Sequence, residues 1–206
     1  MQKKLTKNDL IKSYEGLEIR TRFDLDFILL TSIAAAICTF GFRMNSPSVI
    51  IGAMVLSPLL FTIVALSASL FRKNWKNTLE HVFTFTFGIG IAIAISVIIN
   101  LFFPIENGSE ITERILSNPL DYFFVAFFSG LGGTFAYFWP GIIEAVAGIA
   151  ISVALIPPVV IIGIGLAKWD MAILTGSIQI VAINVLGIIV GSYILVFILH
   201  LYTRKD

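Results

Sequence analysis

The chain has 206 residues, of which 57% are hydrophobic and 13% charged, with a net charge of +1 and a mean hydropathy of +0.94. A soluble domain carries about 25% charged residues, and here the charges sit between long apolar stretches, so an ordinary soluble fold is excluded and a polytopic membrane protein is predicted, with the lipid bilayer as its surroundings. The near-neutral balance, with no basic tract interleaved with aromatics, excludes nucleic acid as a partner, and the lone Cys38, in an apolar run, excludes an internal disulfide.

Residues 1–23 lack the apolar core of a cleavable leader and are expected to be retained. Thr6 and Asp9 have capping-box spacing, and Leu10, Tyr14 and Leu17 fall on one helical face flanked by Lys and Arg. The segment reads as an amphipathic helix lying on the cytoplasmic leaflet or, more plainly, as a frayed tail.

Six apolar segments follow, at about 25–42, 47–71, 81–103, 121–139, 141–167 and 171–201, each near the ~20 residues that a helix needs to cross the hydrocarbon core. Six spans put both termini on one side. On that side fall Lys3, Lys4, Lys7, Lys12, Arg20, Arg22, Arg72, Lys73, Lys76, Arg204 and Lys205. Only Arg43, Arg114 and Lys168 fall on the other. The positive-inside rule then predicts cytoplasmic termini.

Two of the six segments carry proline well inside them. The second has Ser57-Pro58 and the fifth Pro157-Pro158. Proline removes an amide donor and leaves the carbonyl four residues back without its helical partner: Met54 for Pro58, and Val153 and Ala154 for the pair. In hydrocarbon such a carbonyl must be buried in protein or face a wet cavity. The plain reading is a kink. The functional reading is a pair of half-helix ends that bind a small solute or ion, with Ser57 and Ser152 adding hydroxyls and Asn184 an amide. Asn184 also suits an interhelical hydrogen bond. Glu144 is the carboxylate well inside an apolar segment. It could couple protons or cations, or simply sit at the start of its helix, where the dipole favours an anion.

Internal similarity points the same way. DFILLTS from Asp26 resembles DYFFVAFFS from Asp121, and the Ser57-Pro58 segment resembles the Pro157-Pro158 segment with Pro58 set on Pro158. The expected fold is therefore all-α, six transmembrane helices arranged as two inverted-topology three-helix repeats. Helices two and five are proline-broken, and an interfacial helix precedes them. The expected divisions are residues 1–23, a repeat over 24–103, an outer loop over 104–120 and a repeat over 121–206. Gly163 with Gly165 and Gly187 with Gly191 offer small faces for packing within or between subunits, and a homo-oligomer is expected.

Enzyme signals are weak. His81 and His200 lie at span ends without metal-ligand spacing, and no nucleophile elbow or phosphate loop is present. No enzyme, metal or cofactor is expected. The leading expectation is a transporter or channel, and its rival a membrane scaffold, sensor or assembly factor.

VIIGAMVLSPLL (49–60), AGIAISVALIPPVVIIGIGLA (147–167) and NVLGI (184–188) together resemble the hydrophobic prokaryotic domain catalogued as domain-of-unknown-function family 389. The resemblance spans nearly the whole chain. It implies a bacterial or archaeal inner-membrane protein and carries no activity. Where members of that family often have a further proline, this chain reads Leu59-Leu60-Phe61-Thr62, so a site built on two prolines in that block would be altered.

Overall fold

The computed structural model describes residues 7–105, 118–139 and 155–204. Among the described residues the regular structure is entirely helical. In chain order the helices are α1 (Lys7–Arg20), α2 (Leu25–Arg43), α3 (Pro47–Leu56), α4 (Leu59–Phe71), α5 (Trp75–Phe102), α6 (Pro119–Phe138), α7 (Ile156–Lys168) and α8 (Met171–Arg204).

Three of these, α2, α5 and α8, are long and apolar enough to cross a membrane. The pair α3–α4, bent by 45° at its break, brings the number to four when counted as one span, and α7 is a shorter apolar helix. By length and composition the chain is a multi-pass membrane protein.

Polar groups at the helix ends explain where the elements stop and start. The Asp24 carboxylate accepts the Phe27 amide at 2.9 Å to begin α2. Asn74 does the same for Asn77 at the start of α5, and Asp170 for Ala172 and Ile173 at the start of α8. Asn45, Lys73 and Trp169 adopt left-handed backbone, with φ of 49°, 54° and 56°. Each follows a helix whose last carbonyls are taken by the turn. Ser46 donates to Gly41, Asn74 to Ser69 and Asp170 to Gly165, at 2.9, 3.0 and 3.0 Å.

The short helices α4 and α7 form the centre. Nearly every residue from Leu59 to Ser69, and every residue from Ile156 to Gly165, is buried. A helix that is apolar all round belongs in a core. Around them, α5 packs on α2, α4 and α7, while α8 packs on α6, α4 and α7. Large apolar side chains such as Leu29, Phe102, Phe128 and Leu186 point outward, as expected of lipid-facing surface.

Between helices in lipid, close approach of small residues replaces hydrophobic burial as the cohesive force. A Cβ at Gly130 would lie 2.5 Å from the Ile188 carbonyl, and one at Gly187 2.8 Å from the Phe123 carbonyl. One at Gly191 would collide with the Phe127 carbonyl. The glycine face of α8 is thus taken up by α6 of the same chain. On the other flank Gly163 of α7 abuts Ser96 of α5, whose hydroxyl donates to the Val160 carbonyl at 2.8 Å.

Helix α1 lies across one end of the bundle. Leu10 and Leu17 are buried, so much of its apolar face packs on protein. Tyr14 meets the Phe138 ring edge-on at 4.9 Å and lies beneath the Arg72 guanidinium at 4.7 Å. Burial pushes the Tyr14 phenol above its ordinary range, and Arg72 pulls it partly back. Glu18 accepts the Asn77 amide at 2.6 Å and pairs with Arg72 at 3.5 Å.

Candidate functional site

The break between α3 and α4 centres on Ser57 and Pro58. Ser57 leaves the helix in an extended conformation, with φ −74° and ψ 126°, and Pro58 opens α4. The Met54 carbonyl, deprived by Pro58 of its partner four residues on, accepts the Ser57 amide at 3.4 Å instead. The Leu59 amide is 3.4 Å from the Ser57 hydroxyl. The Pro58 carbonyl accepts both the amide and the hydroxyl of Thr62, at 3.4 and 3.3 Å. Met54 is buried, whereas Ser57 and Pro58 are half-buried. These bonds are long, and the carbonyls have further lone pairs to offer.

Pro157 and Pro158 are both buried in the first turn of α7, a position where a missing amide removes no helical bond. The Val159 amide still reaches the Leu155 carbonyl at 3.4 Å. Asn184 is buried on α8. Glu144, Ser152, Val153 and Ala154 lie outside the described residues. The elements carrying the described candidates are neighbours: α3 packs on α7, and α4 and α7 both pack on α8.

The closing turns repeat one pattern: Asn74 donates to Ser69 and Asp170 to Gly165, and Lys73 and Trp169 share left-handed backbone. Aligned on these turns, Pro58 falls on Ala154 in sequence, about one helical turn from the register that sets it on Pro158.

Sequence reasoning missed the polar stripe of α5. Thr78, His81, Thr84, Gly88, Ala92, Ser96 and Asn100 are its buried positions. Thr21 and His81 meet at 3.4 Å, and Asn100 accepts the Ile105 amide at 3.2 Å. The signal was available as small or polar residues recurring every three or four positions in an otherwise large and apolar helix. The buried hydroxyls of Thr31 on α2 and Thr134 on α6 have no hydrogen-bond partner among the described residues, and such groups usually do.

No curated protein and no solved structure matched the chain. A family model did match, over residues 54–190, from the end of α3 through the break, α7 and most of α8. The chain belongs to that family, described as Domain of unknown function (DUF389).

Proposed function

We propose that the chain is a transporter or channel for a small solute or ion, built from two three-helix units of opposite orientation, with its site at the broken helices. The observation that carries this reading is the equivalence of the units. With Asp26 set on Asp121, the buried positions Thr31, Ala34, Ala35, Cys38, Thr39 and Gly41 of α2 fall on Ala126, Ser129, Gly130, Gly133, Thr134 and Ala136, all buried in α6. In the register of the turns, His81, Thr84, Gly88, Ala92, Ser96 and Asn100 fall on Ser177, Ile180, Asn184, Ile188, Ser192 and Val196, again all buried. The packing partners exchange too. Helix α2 packs on α5 and α7, and α6 packs on α8 and α4.

Helix α8 supports an opposite orientation for the two units. The end of α4 lies beside the end of α8, with the Phe71 ring 5.6 Å from Tyr193 and 5.5 Å from His200. The end of α7 leads directly into the start of α8. Helix α8 has 34 residues, or about 51 Å of rise. These contacts favour a placement of the two turns at opposite ends of the molecule. Each unit of three crossings would reverse the next, giving six spans, cytoplasmic termini and a place in the inner membrane. Arg20, Arg22, Arg72 and Lys76 gather at the α1 end, in keeping with that orientation. The unpartnered hydroxyls of Thr31 and Thr134 add polar groups suited to a passing solute. Glu144 remains the residue proposed for coupling.

The test is flux through proteoliposomes, with dyes for protons, alkali cations and chloride and with counterflow of small organic solutes. Native protein should exceed empty vesicles. Asn184→Ala and Pro58→Ala, checked for folding by circular dichroism, should lower the rate by roughly tenfold, the first by removing a buried hydrogen-bonding group and the second by letting the helix close across the break. No flux of any solute from folded protein would sink the reading. A scaffold or assembly factor is the second reading. It is favoured by the way Ser57, Leu59 and Thr62 close the break with the chain's own bonds.

A further inference from the structure

At the end covered by α1, a groove of about 1120 Å³ opens between the chain at 15–24 and the first turns of α5. Its depth in the bilayer can be placed from the sequence on two helices. Helix α5 has 28 residues, about 42 Å of rise, against a hydrocarbon core of about 30 Å. Its charges, Lys76 and Glu80, fall in the first two turns, before the apolar run. Helix α2 becomes apolar directly after Asp26 in its first turn. The groove thus lies where both helices pass from polar to apolar surroundings, at headgroup level.

The walls of the groove differ in chemistry. Phe23 and Phe83 stand edge-on at 5.6 Å, and Phe87 continues the stack at 4.2 Å from Phe83. All three are between 39% and 49% exposed, which is a large aromatic surface aimed away from the core. The polar wall carries both signs of charge. Arg22 and Lys76 have no ion-pair partner among the described residues, nor do Glu15 and Glu80. Glu18 is already held by Asn77 and Arg72, and Asp24 caps α2.

We infer that this groove binds a zwitterionic phospholipid whose headgroup bears a primary ammonium. Arg22 and Lys76 take the phosphate, for which guanidinium geometry is well suited. Glu80 and Glu15 accept the ammonium N–H groups. The upper acyl chain lies on Phe23, Phe83 and Phe87. A purely anionic headgroup would meet the two carboxylates unfavourably. A quaternary ammonium has no N–H to give them. The assignment does not depend on transport.

The test is native mass spectrometry of full-length protein released from vesicles of equal parts phosphatidylethanolamine, phosphatidylglycerol and phosphatidylcholine. Phosphatidylethanolamine should be retained about tenfold over either other lipid, a difference of about 1.4 kcal/mol. R22Q/K76Q should lower that retention about tenfold. E15Q/E80Q should keep retention while losing the preference over phosphatidylcholine. Circular dichroism and melting establish that each variant is folded, and Phe83→Ala, which touches no charge, serves as a second probe that should weaken retention. Equal retention of all three lipids, a preference for phosphatidylglycerol, or undiminished binding by folded R22Q/K76Q would each overturn the assignment. So would a groove filled by a second copy, seen as a concentration-dependent dimer without lipid.

Discussion

Glycine positions in this chain divide sharply by what surrounds them. At Gly130 the obstacle to a side chain is the Ile188 carbonyl, and at Gly191 it is the Phe127 carbonyl. Backbone cannot rotate out of the way as a side-chain tip can, so any larger residue must push α6 from α8. Gly130→Val and Gly191→Leu should each destabilise the protein by about 3 kcal/mol, the upper part of the range for overpacking. At Gly52 and Gly90 an added Cβ meets nothing within 4 Å. Alanine there should change stability by no more than about 0.5 kcal/mol. Thermal melts in one detergent compare all four variants. Equal losses at Gly52 and Gly130 would mean that the α6–α8 seam is not what limits stability.

Among the elements, α1 is the piece whose role composition left open. Its face of Leu10, Tyr14 and Leu17 was legible as apolar, but apolarity alone does not distinguish lipid from protein as the covering. The distinguishing contacts are long-range. They come from Arg72 and Asn77 at one side and from Phe138 and Tyr137 at the other, with Arg20 6.0 Å over the Tyr137 ring. Helix α1 therefore ties the α4–α5 turn to the end of α6. The Glu18–Asn77 hydrogen bond should show a coupling of about 1 kcal/mol in a double-mutant cycle of Glu18→Ala and Asn77→Ala. Charge raises its worth, while the partial exposure of Glu18 screens it. A coupling indistinguishable from zero would make α1 a loosely held strap. The break at Ser57-Pro58 was readable at this same scale, because proline acts locally. The shared form of the turns at Lys73 and Trp169 was not, because an ordinary side chain there adopts left-handed backbone that no residue type announces.

For the molecule as a whole, the all-helical, multi-pass character was written in the hydropathy, and the pairing of Asp26 with Asp121 already contained the shared buried faces of α2 and α6. Similarity alone does not fix relative direction, since two apolar helices align equally well in either sense; the expectation of inversion rests on the odd number of spans in each half. The proposed inversion leads to a clean test. Cys38 is the chain's lone cysteine and is 0% exposed, so an impermeant maleimide should leave the native protein unlabelled. Lys73 and Trp169 are exposed, share the same left-handed backbone and hold matching places in the two turns. Cysteine at either adds no backbone strain beyond that already present. In intact cells Trp169→Cys should label fully, and Lys73→Cys should label only after the membrane is opened. The contrast should be at least tenfold, because the hydrocarbon core stands between reagent and thiol. Labelling of both from the same face would place the two units in parallel. The proposal of two units of opposite orientation would then fail.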